Sequence, residues 1–131
     1  KTLFQKTNIK NFDELNVSNF NYKIAPLINA AGRMNNANII VDLLTTEDTR
    51  KASEISNRLI EENKKRQVIQ RIALEEAFSK ADLIDKETKL ILLHNDGWHP
   101  GVIGIIAAKI KNKFKRPSII ITFDRDGNGN G

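Results

Sequence analysis

The sequence contains no cysteine and no long apolar run. Without cysteine there is neither a disulfide framework nor a thiolate site for zinc, which is typical of proteins from a reducing compartment. No apolar run is long enough to cross a bilayer, and residues 1–6 lack the apolar centre of a signal peptide. We therefore expect a soluble, cytoplasmic protein.

Residues that could do chemistry are also scarce. The only two histidines, His94 and His99, flank Asp96, and no further ligands stand at a usable spacing for a metal. No serine has the setting of a nucleophile, and the carboxylates form no obvious dyad. The sequence therefore predicts neither a catalytic residue nor a metal ligand in this chain.

The positions of the basic residues along the chain are more informative than the net charge. A net charge of +5 and a pI near 9.6 are compatible with an anionic partner. Five basic residues near the C-terminus have no acid among them: Lys109, Lys111, Lys113, Lys115 and Arg116. The 131 residues can form one ordinary core or two incomplete ones, and the chain has the look of a fragment of a larger protein.

Residues 47–80 contain neither glycine nor proline and predict a single long helix, preceded by a shorter one over residues 36–44. Apolar faces occur near both ends of the long helix, whereas residues 61–67 are polar on every side. Such a pattern favours a helix that connects two packed bodies through solvent over a coiled coil. We interpret the run at residues 64–66 as a solvated face rather than a phosphate contact.

The C-terminal third has the pattern of a parallel βαβ unit. Residues 89–93 and 118–123 are apolar strands, and a helix runs between them from Pro100 to Phe114. Both strands are apolar enough to predict covering elements on both faces of the sheet. Close packing of helix on strand explains Gly101 and Gly104. His99 either caps the helix or packs in its loop beside Trp98.

Residues 25–34, APLINAAGRM, frame one cation with small neighbours. Pro26 is expected to resist a continuous helix. The small residues leave room around Arg33, whose planar fork suits a phosphate, although spacing alone favours an arginine that ends a helix or pairs with a carboxylate.

Two stretches together resemble the RecJ family of single-strand-specific DNA exonucleases, within the DHH phosphoesterase superfamily. Residues 25–34 are similar to that family's G-P-R-L-N-A-A-G-R-L segment, with Ala25 and Leu27 as departures from it. Residues 97–105, GWHPGVIGI, are similar to its G-W-H-P-G-V-I-G-I signature. The long helix between them agrees with the family's order of elements.

The resemblance implies an α/β fragment of a two-lobed DHH-type phosphoesterase. Residues 1–45 would be the tail of the catalytic DHH domain, 46–84 the connecting helix, and 85–131 the start of the DHH-associated domain. The implied activity is hydrolysis of single-stranded DNA from 5′ to 3′ in repair and recombination, with Mn²⁺ or Mg²⁺ held by residues outside this chain. The alternatives are a non-catalytic nucleic-acid-binding module, or a phosphodiesterase for oligonucleotides or cyclic dinucleotides.

The resemblance also assigns candidate residues. Arg33 matches the arginine that the family places beside its active site for phosphate recognition, and Asn29 accompanies it. His99 is carried over as a residue facing the cleft between the lobes. Together with the basic cluster, the candidate nucleic-acid-binding residues are Asn29, Arg33, His99, Lys109, Lys113 and Arg116.

Overall fold

A computed structural model describes residues 1–9, 15–34 and 37–131. The chain divides into two compact units, Lys1–Arg66 and Gln67–Gly131. Each unit has its own cluster of buried apolar side chains, and each is described by itself below.

Unit 1 is helical in the part that the structure describes. Its elements are α1 (Thr2–Lys6), α2 (Val17–Asn19), a π-helical turn (Phe20–Ile24), α3 (Ala25–Arg33), α4 (Asn38–Thr45) and the first part of α5 (Thr49–Asp82). The predicted helix over residues 36–44 corresponds to α4. Residues from all three longer helices meet in one apolar core: Leu3, Ile9, Ile24, Leu27, Ala31, Ile39, Ile55 and Leu59.

Pro26 does not end the helical path, contrary to the prediction. It lies in the first turn of α3, where its missing N–H costs little, and the π-helical turn Phe20–Ile24 comes directly before it. A π-helical turn has a wider hydrogen-bond spacing than an α-helix. The chain therefore changes helix type where the proline ring would otherwise meet the preceding turn.

The long helix is confirmed as α5, with 34 residues and a length of about 50 Å. Asp48 caps its start, since Oδ1 accepts hydrogen bonds from the backbone N–H of Arg50 at 2.8 Å and of Lys51 at 3.4 Å. The helix supplies buried side chains to both cores. The polar middle differs from the prediction at Asn63, whose side chain is only 9% exposed.

Unit 2 consists of the second part of α5 followed by a parallel βαβ arrangement. Strand β1 (Ile91–His94) leads through a loop to α6 (Pro100–Phe114) and then to β2 (Ser118–Phe123). The two strands pair in parallel from Ile91 with Ser118 to His94 with Ile121, which confirms the predicted topology. A short third strand, β3 (Gly129–Asn130), pairs antiparallel with the end of β2.

One face of the sheet carries the core of unit 2. The α5 residues that are fully buried in that core are small, whereas Ile69, Leu74 and Phe78 of the same helix pack against it half-buried. Ala73, Ala77 and Ala81 are buried against β1, α6 and β2. The opposite face holds Leu92 and Ile119, which are 54% and 45% exposed. The prediction that both faces are covered is therefore wrong for the described residues, because both helices of the unit contribute to the same core cluster.

Gly104 is exposed, and a Cβ atom added there would meet nothing within 4 Å. Close packing against a strand is therefore the wrong explanation for this glycine. Because Gly104 lies inside α6, Gly104→Ala should raise the free energy of unfolding by about 0.5–1 kcal/mol through reduced freedom of the unfolded chain. Urea denaturation measures the change.

Gly127→Ala is the matched control for that substitution. Gly127 has a φ of +82°, a conformation that side-chain-bearing residues rarely adopt, so the same exchange should destabilise the chain there. A loss of stability in Gly104→Ala would show instead that the space beside Gly104 is filled.

Candidate nucleic-acid interface

Asn29 and Arg33 lie four residues apart on α3 and therefore on one face of that helix. Both are exposed, and both line an open groove of about 540 Å³ in unit 1. The other lining residues are Ile28, Gly32, Ala37, Ile40 and Val41. The structure thus brings these two predicted residues together, with an amide and a guanidinium set in largely apolar surroundings.

Gly32 keeps the groove open between them. It is exposed, and a Cβ atom added there would meet nothing within 4 Å among its neighbours. A ligand can therefore approach the backbone beside Arg33 more closely than a larger residue would allow. Arg33 is also the last residue of α3, where the helix dipole favours a positive charge. Both interpretations of Arg33, phosphate contact and helix end, are compatible with this position.

Arg66 on α5 was not singled out from the sequence, and it stands apart from its neighbours Lys64 and Lys65. Those two side chains are exposed, whereas Arg66 is half-buried. Its Nε and Nη2 atoms both donate to Asn63 Oδ1, at 3.3 and 3.0 Å. Burial, and then the positive charge of Arg33, lower the pKa of the Arg66 guanidinium from its usual value. The solvated-face interpretation therefore does not hold for Arg66.

In unit 2, His99 is the N-cap residue of α6, which confirms that alternative. Its Nδ1 accepts a hydrogen bond from the backbone N–H of Gly101 at 3.0 Å, directly before the first turn that contains Pro100. A ring nitrogen that accepts carries no proton, so the neutral imidazole holds its proton on Nε2. His99 can thus hold the helix start and offer a donor from its other nitrogen.

Trp98 fixes the loop that precedes His99. Its indole N–H donates to Glu76 Oε2 at 2.9 Å, and the Asn95 side-chain amide donates to the same oxygen at 3.1 Å. The hydroxyl of Thr122 donates to the Trp98 carbonyl oxygen at 2.7 Å. The Nζ atom of Lys80 lies 5.3 Å from the centroid of the Trp98 ring. A carboxylate on α5 therefore positions the loop, and nothing in the local sequence around Glu76 indicates this role.

The basic cluster does not form one surface. Lys109 and Lys113 are exposed and share a face of α6, but Lys113 Nζ lies 3.4 Å from Asp82 Oδ2 and 4.3 Å from the Phe78 ring centroid. The basic cluster contains no acidic residue, and Asp82 of α5 thus supplies an acidic partner for it. Arg116 Nη1 donates to the carbonyl oxygens of Asp85 and Thr88, at 2.9 and 2.8 Å.

These contacts give Arg116 a structural task in the loop before β1. His99 lies at the opposite end of α6, a helix about 22 Å long at 1.5 Å per residue. The predicted residues of unit 2 therefore occupy separate places on α6 and beyond its ends.

The described residues do not provide a metal site. Within residues 1–9, 15–34 and 37–131, no three histidine, aspartate or glutamate side chains converge in a way that could hold an ion. In the same part of the chain, no helix combines the length and the apolar character needed to cross a bilayer.

Known proteins match this arrangement over nearly its whole extent. The chain is 33% identical over 113 residues to the single-stranded-DNA-specific exonuclease RecJ of Bacillus subtilis, covering 86% of this chain and 14% of that protein. It is 35% identical over 100 residues to the RecJ of Thermus thermophilus, covering 76% and 15%. No protein-family model matches the sequence.

Solved structures agree with these relatives. The crystal structure of RecJ in complex with Mg²⁺ from Thermus thermophilus matches with a TM-score of 0.79 at 29% identity, covering 97% of this chain and 19% of that chain. A crystal structure of exonuclease RecJ bound to manganese gives the same TM-score and identity, covering 94% and 30%.

The fold is thus the mixed α/β arrangement of those enzymes, in which one long helix leads into a small parallel sheet. Curated RecJ exonucleases and RecJ crystal structures thus match this chain, as its two motifs predict, and the chain spans 14–22% of the length of the curated relatives it matches.

Proposed function

We propose that this chain is part of a metal-dependent exonuclease that hydrolyses single-stranded DNA from 5′ to 3′ in DNA repair and recombination. The observation that carries the proposal is the 33% identity to the single-stranded-DNA-specific exonuclease RecJ of Bacillus subtilis across 86% of this chain. The open groove that holds Asn29 and Arg33 supports it, because a guanidinium at an open groove suits a phosphodiester backbone.

In this proposal the chain serves the enzyme by holding the strand. Residues 1–45 would close the catalytic domain, 46–84 would connect the lobes, and 85–131 would begin the nucleic-acid-gripping domain. Arg33 would bind phosphate oxygens through its planar fork, and Asn29 would donate from its amide beside it. His99, Lys109 and Lys113 are proposed contacts of the second domain, whereas the guanidinium of Arg116 is engaged by carbonyl oxygens of the loop before β1.

The metal of the reaction would be Mn²⁺ or Mg²⁺, the two ions named for the solved RecJ structures. The described residues do not fit such an ion, because no set of three ligand side chains converges there. We therefore assign the ligands to the rest of the full-length protein and expect this chain alone to be inactive. A cytoplasmic location belongs to the same proposal, since it suits an enzyme that processes DNA.

Replacing Arg33 tests the proposal. In the full-length protein with Mn²⁺, Arg33→Ala should lower kcat/KM on 5′-phosphorylated single strands by about tenfold to a hundredfold, the worth of a hydrogen-bonded charge pair of about 1.5–3 kcal/mol. Arg33→Lys should recover only part of the loss, because lysine lacks the fork. Release of labelled nucleotides from the 5′ end measures the rate.

Arg58→Ala is the matched control, since Arg58 is an exposed arginine of unit 1 that does not line the groove. Equal rates for wild type and Arg33→Ala would return Arg33 to a role at the helix end. A wild-type protein that binds single strands without cleaving them would favour the non-catalytic binding module instead. Cleavage confined to short oligonucleotides or cyclic dinucleotides would favour the other alternative.

A further inference from the structure

His99 has one ring nitrogen that is open to a ligand. Its Nδ1 accepts from the backbone N–H of Gly101, so the proton of the neutral imidazole is on Nε2. Within the described part of the chain, Nε2 makes no hydrogen bond, and no side-chain nitrogen or oxygen there is buried without a partner. Nε2 is therefore in contact with solvent and can donate to an acceptor that the described residues do not supply.

The position of this donor depends on the loop between β1 and α6. Glu76 of α5 holds that loop at two points, because its Oε2 accepts from the indole N–H of Trp98 at 2.9 Å and from the side-chain amide of Asn95 at 3.1 Å. The Asn95 Oδ1 atom in turn accepts from the backbone N–H of Gly97 at 2.8 Å. Since Trp98 directly precedes His99 in the chain, a shift of the loop would carry the imidazole with it.

Glu76 binds the loop through neutral groups, although it carries a charge. Glu76 is exposed, and an exposed carboxylate beside a DNA-binding surface repels phosphate. Lys80, one turn further along α5, donates through Nζ to the carbonyl oxygen of His94 at 3.0 Å and so holds the end of β1 next to the same loop. A contribution of Glu76 to strand binding would therefore come from geometry and would oppose the effect of its charge.

We propose that Glu76 is a positioning residue for strand binding, which acts through the Trp98 loop so that the Nε2–H group of His99 donates to a phosphate oxygen of the single strand. The inference deepens the proposed function and rests on it, because His99 is a strand contact only in that proposal. Phosphate oxygens are strong acceptors for such a donor. A donor that is already held in place also loses little side-chain freedom when the strand binds.

The test is a binding titration of the full-length protein with a fluorescent single-stranded oligonucleotide at fixed ionic strength, in EDTA to stop hydrolysis. His99→Ser keeps a side chain that can cap α6 but deletes the outward donor, so it should weaken binding by about tenfold. Glu76→Ala should weaken binding by about threefold to tenfold, because the donor is still present but is no longer fixed.

Three further variants separate geometry from charge. Glu75→Ala is the matched control, since it deletes the same charge from an exposed neighbour on α5, and it should leave the affinity unchanged or slightly raised. Glu76→Gln keeps an accepting oxygen and should restore binding to within about twofold of wild type. Asn95→Ala removes no charge but breaks the contact with Glu76, and it should weaken binding as Glu76→Ala does.

The double variant Glu76→Ala/His99→Ser distinguishes positioning from a general loss of structure. If Glu76 acts through His99, the double variant should bind no more weakly than His99→Ser alone, because the donor that Glu76 positions is already absent. Losses that multiply would mean that Glu76 acts independently of His99, and they would overturn the inference.

Wild-type affinity in either His99→Ser or Glu76→Ala would also overturn the inference, and so would an equal gain of affinity in Glu75→Ala and Glu76→Ala. Each of these outcomes leaves the proposed function standing, provided that the wild-type enzyme binds and cleaves single strands. If Glu76→Ala does not fold, Asn95→Ala and its combination with His99→Ser decide the question in the same assay. A wild-type protein that neither binds nor cleaves single strands would instead defeat the proposed function itself.

Discussion

Trp98→Ala is expected to lower the free energy of unfolding by about 3–5 kcal/mol, the range for removal of a large aromatic side chain from a core. Trp98 is 3% exposed and packs with β1, α6 and the alanines of α5. The substitution leaves a cavity at the centre of unit 2 and also removes the donor that fixes the loop to Glu76. Urea denaturation followed by far-UV circular dichroism measures the loss, with the m-value as a check on two-state behaviour.

Trp98→Phe separates the two contributions. Phenylalanine retains most of the buried ring but cannot donate to Glu76, so the expected loss is about 1.5–3 kcal/mol, the worth of a hydrogen bond to a charged group. Equal losses in both variants would mean that the hydrogen bond, and not the buried area, dominates at this position.

Leu59→Ala is expected to cost about 2–5 kcal/mol in unit 1. Leu59 is fully buried, with 0% exposure, and it brings α5 into the same core as α3 and α4. Leucine and alanine have similar helix propensities, so the loss would report packing rather than a weaker helix. The same denaturation measurement applies.

Leu44→Ala makes the identical exchange on an exposed surface of the same unit, where the side chain is 76% exposed. The expected change there is within about 0.5 kcal/mol. A comparable loss at both positions would contradict the burial of Leu59 and would place α5 differently in unit 1.

The elements of unit 2 could be predicted from the sequence because their ends have local physical causes. Pro100 begins α6 and Pro117 follows its end, and between them nothing interrupts the helix. The run of β-branched residues then predicts β2 correctly over residues 118–123. The N-cap role of His99 follows from the same local logic, since it stands directly before the proline.

The features that sequence reasoning missed depend on contacts between distant residues. From the sequence, Arg66 appeared to belong to a solvated run of charges. The burial of Asn63 and of its partner Arg66 depends on how the helices of unit 1 pack, which the local sequence does not indicate. Arg116 appeared to be a surface cation, although its guanidinium binds carbonyl groups about 30 residues earlier in the chain. Charge and spacing along the sequence do not indicate contacts between residues that are far apart in the chain.

The predicted site was thus recovered in part. Asn29 and Arg33 share a groove because they lie one turn apart on a helix, which sequence spacing can indicate once α3 is recognised. Their shared face follows from local structure, whereas the effect of the Arg33 charge on the pKa of Arg66 depends on the packing of unit 1.

Helix α5 obeys two opposite rules of side-chain size along its length. In unit 1 it fills space with Ile55 and Leu59, so substitutions that shrink these residues leave voids. In unit 2 it presents Ala73, Ala77 and Ala81 to the core, so substitutions that enlarge those residues force neighbouring elements apart. A library of variants along α5 would therefore be depleted of small residues at positions 55 and 59 and of large residues at positions 73, 77 and 81.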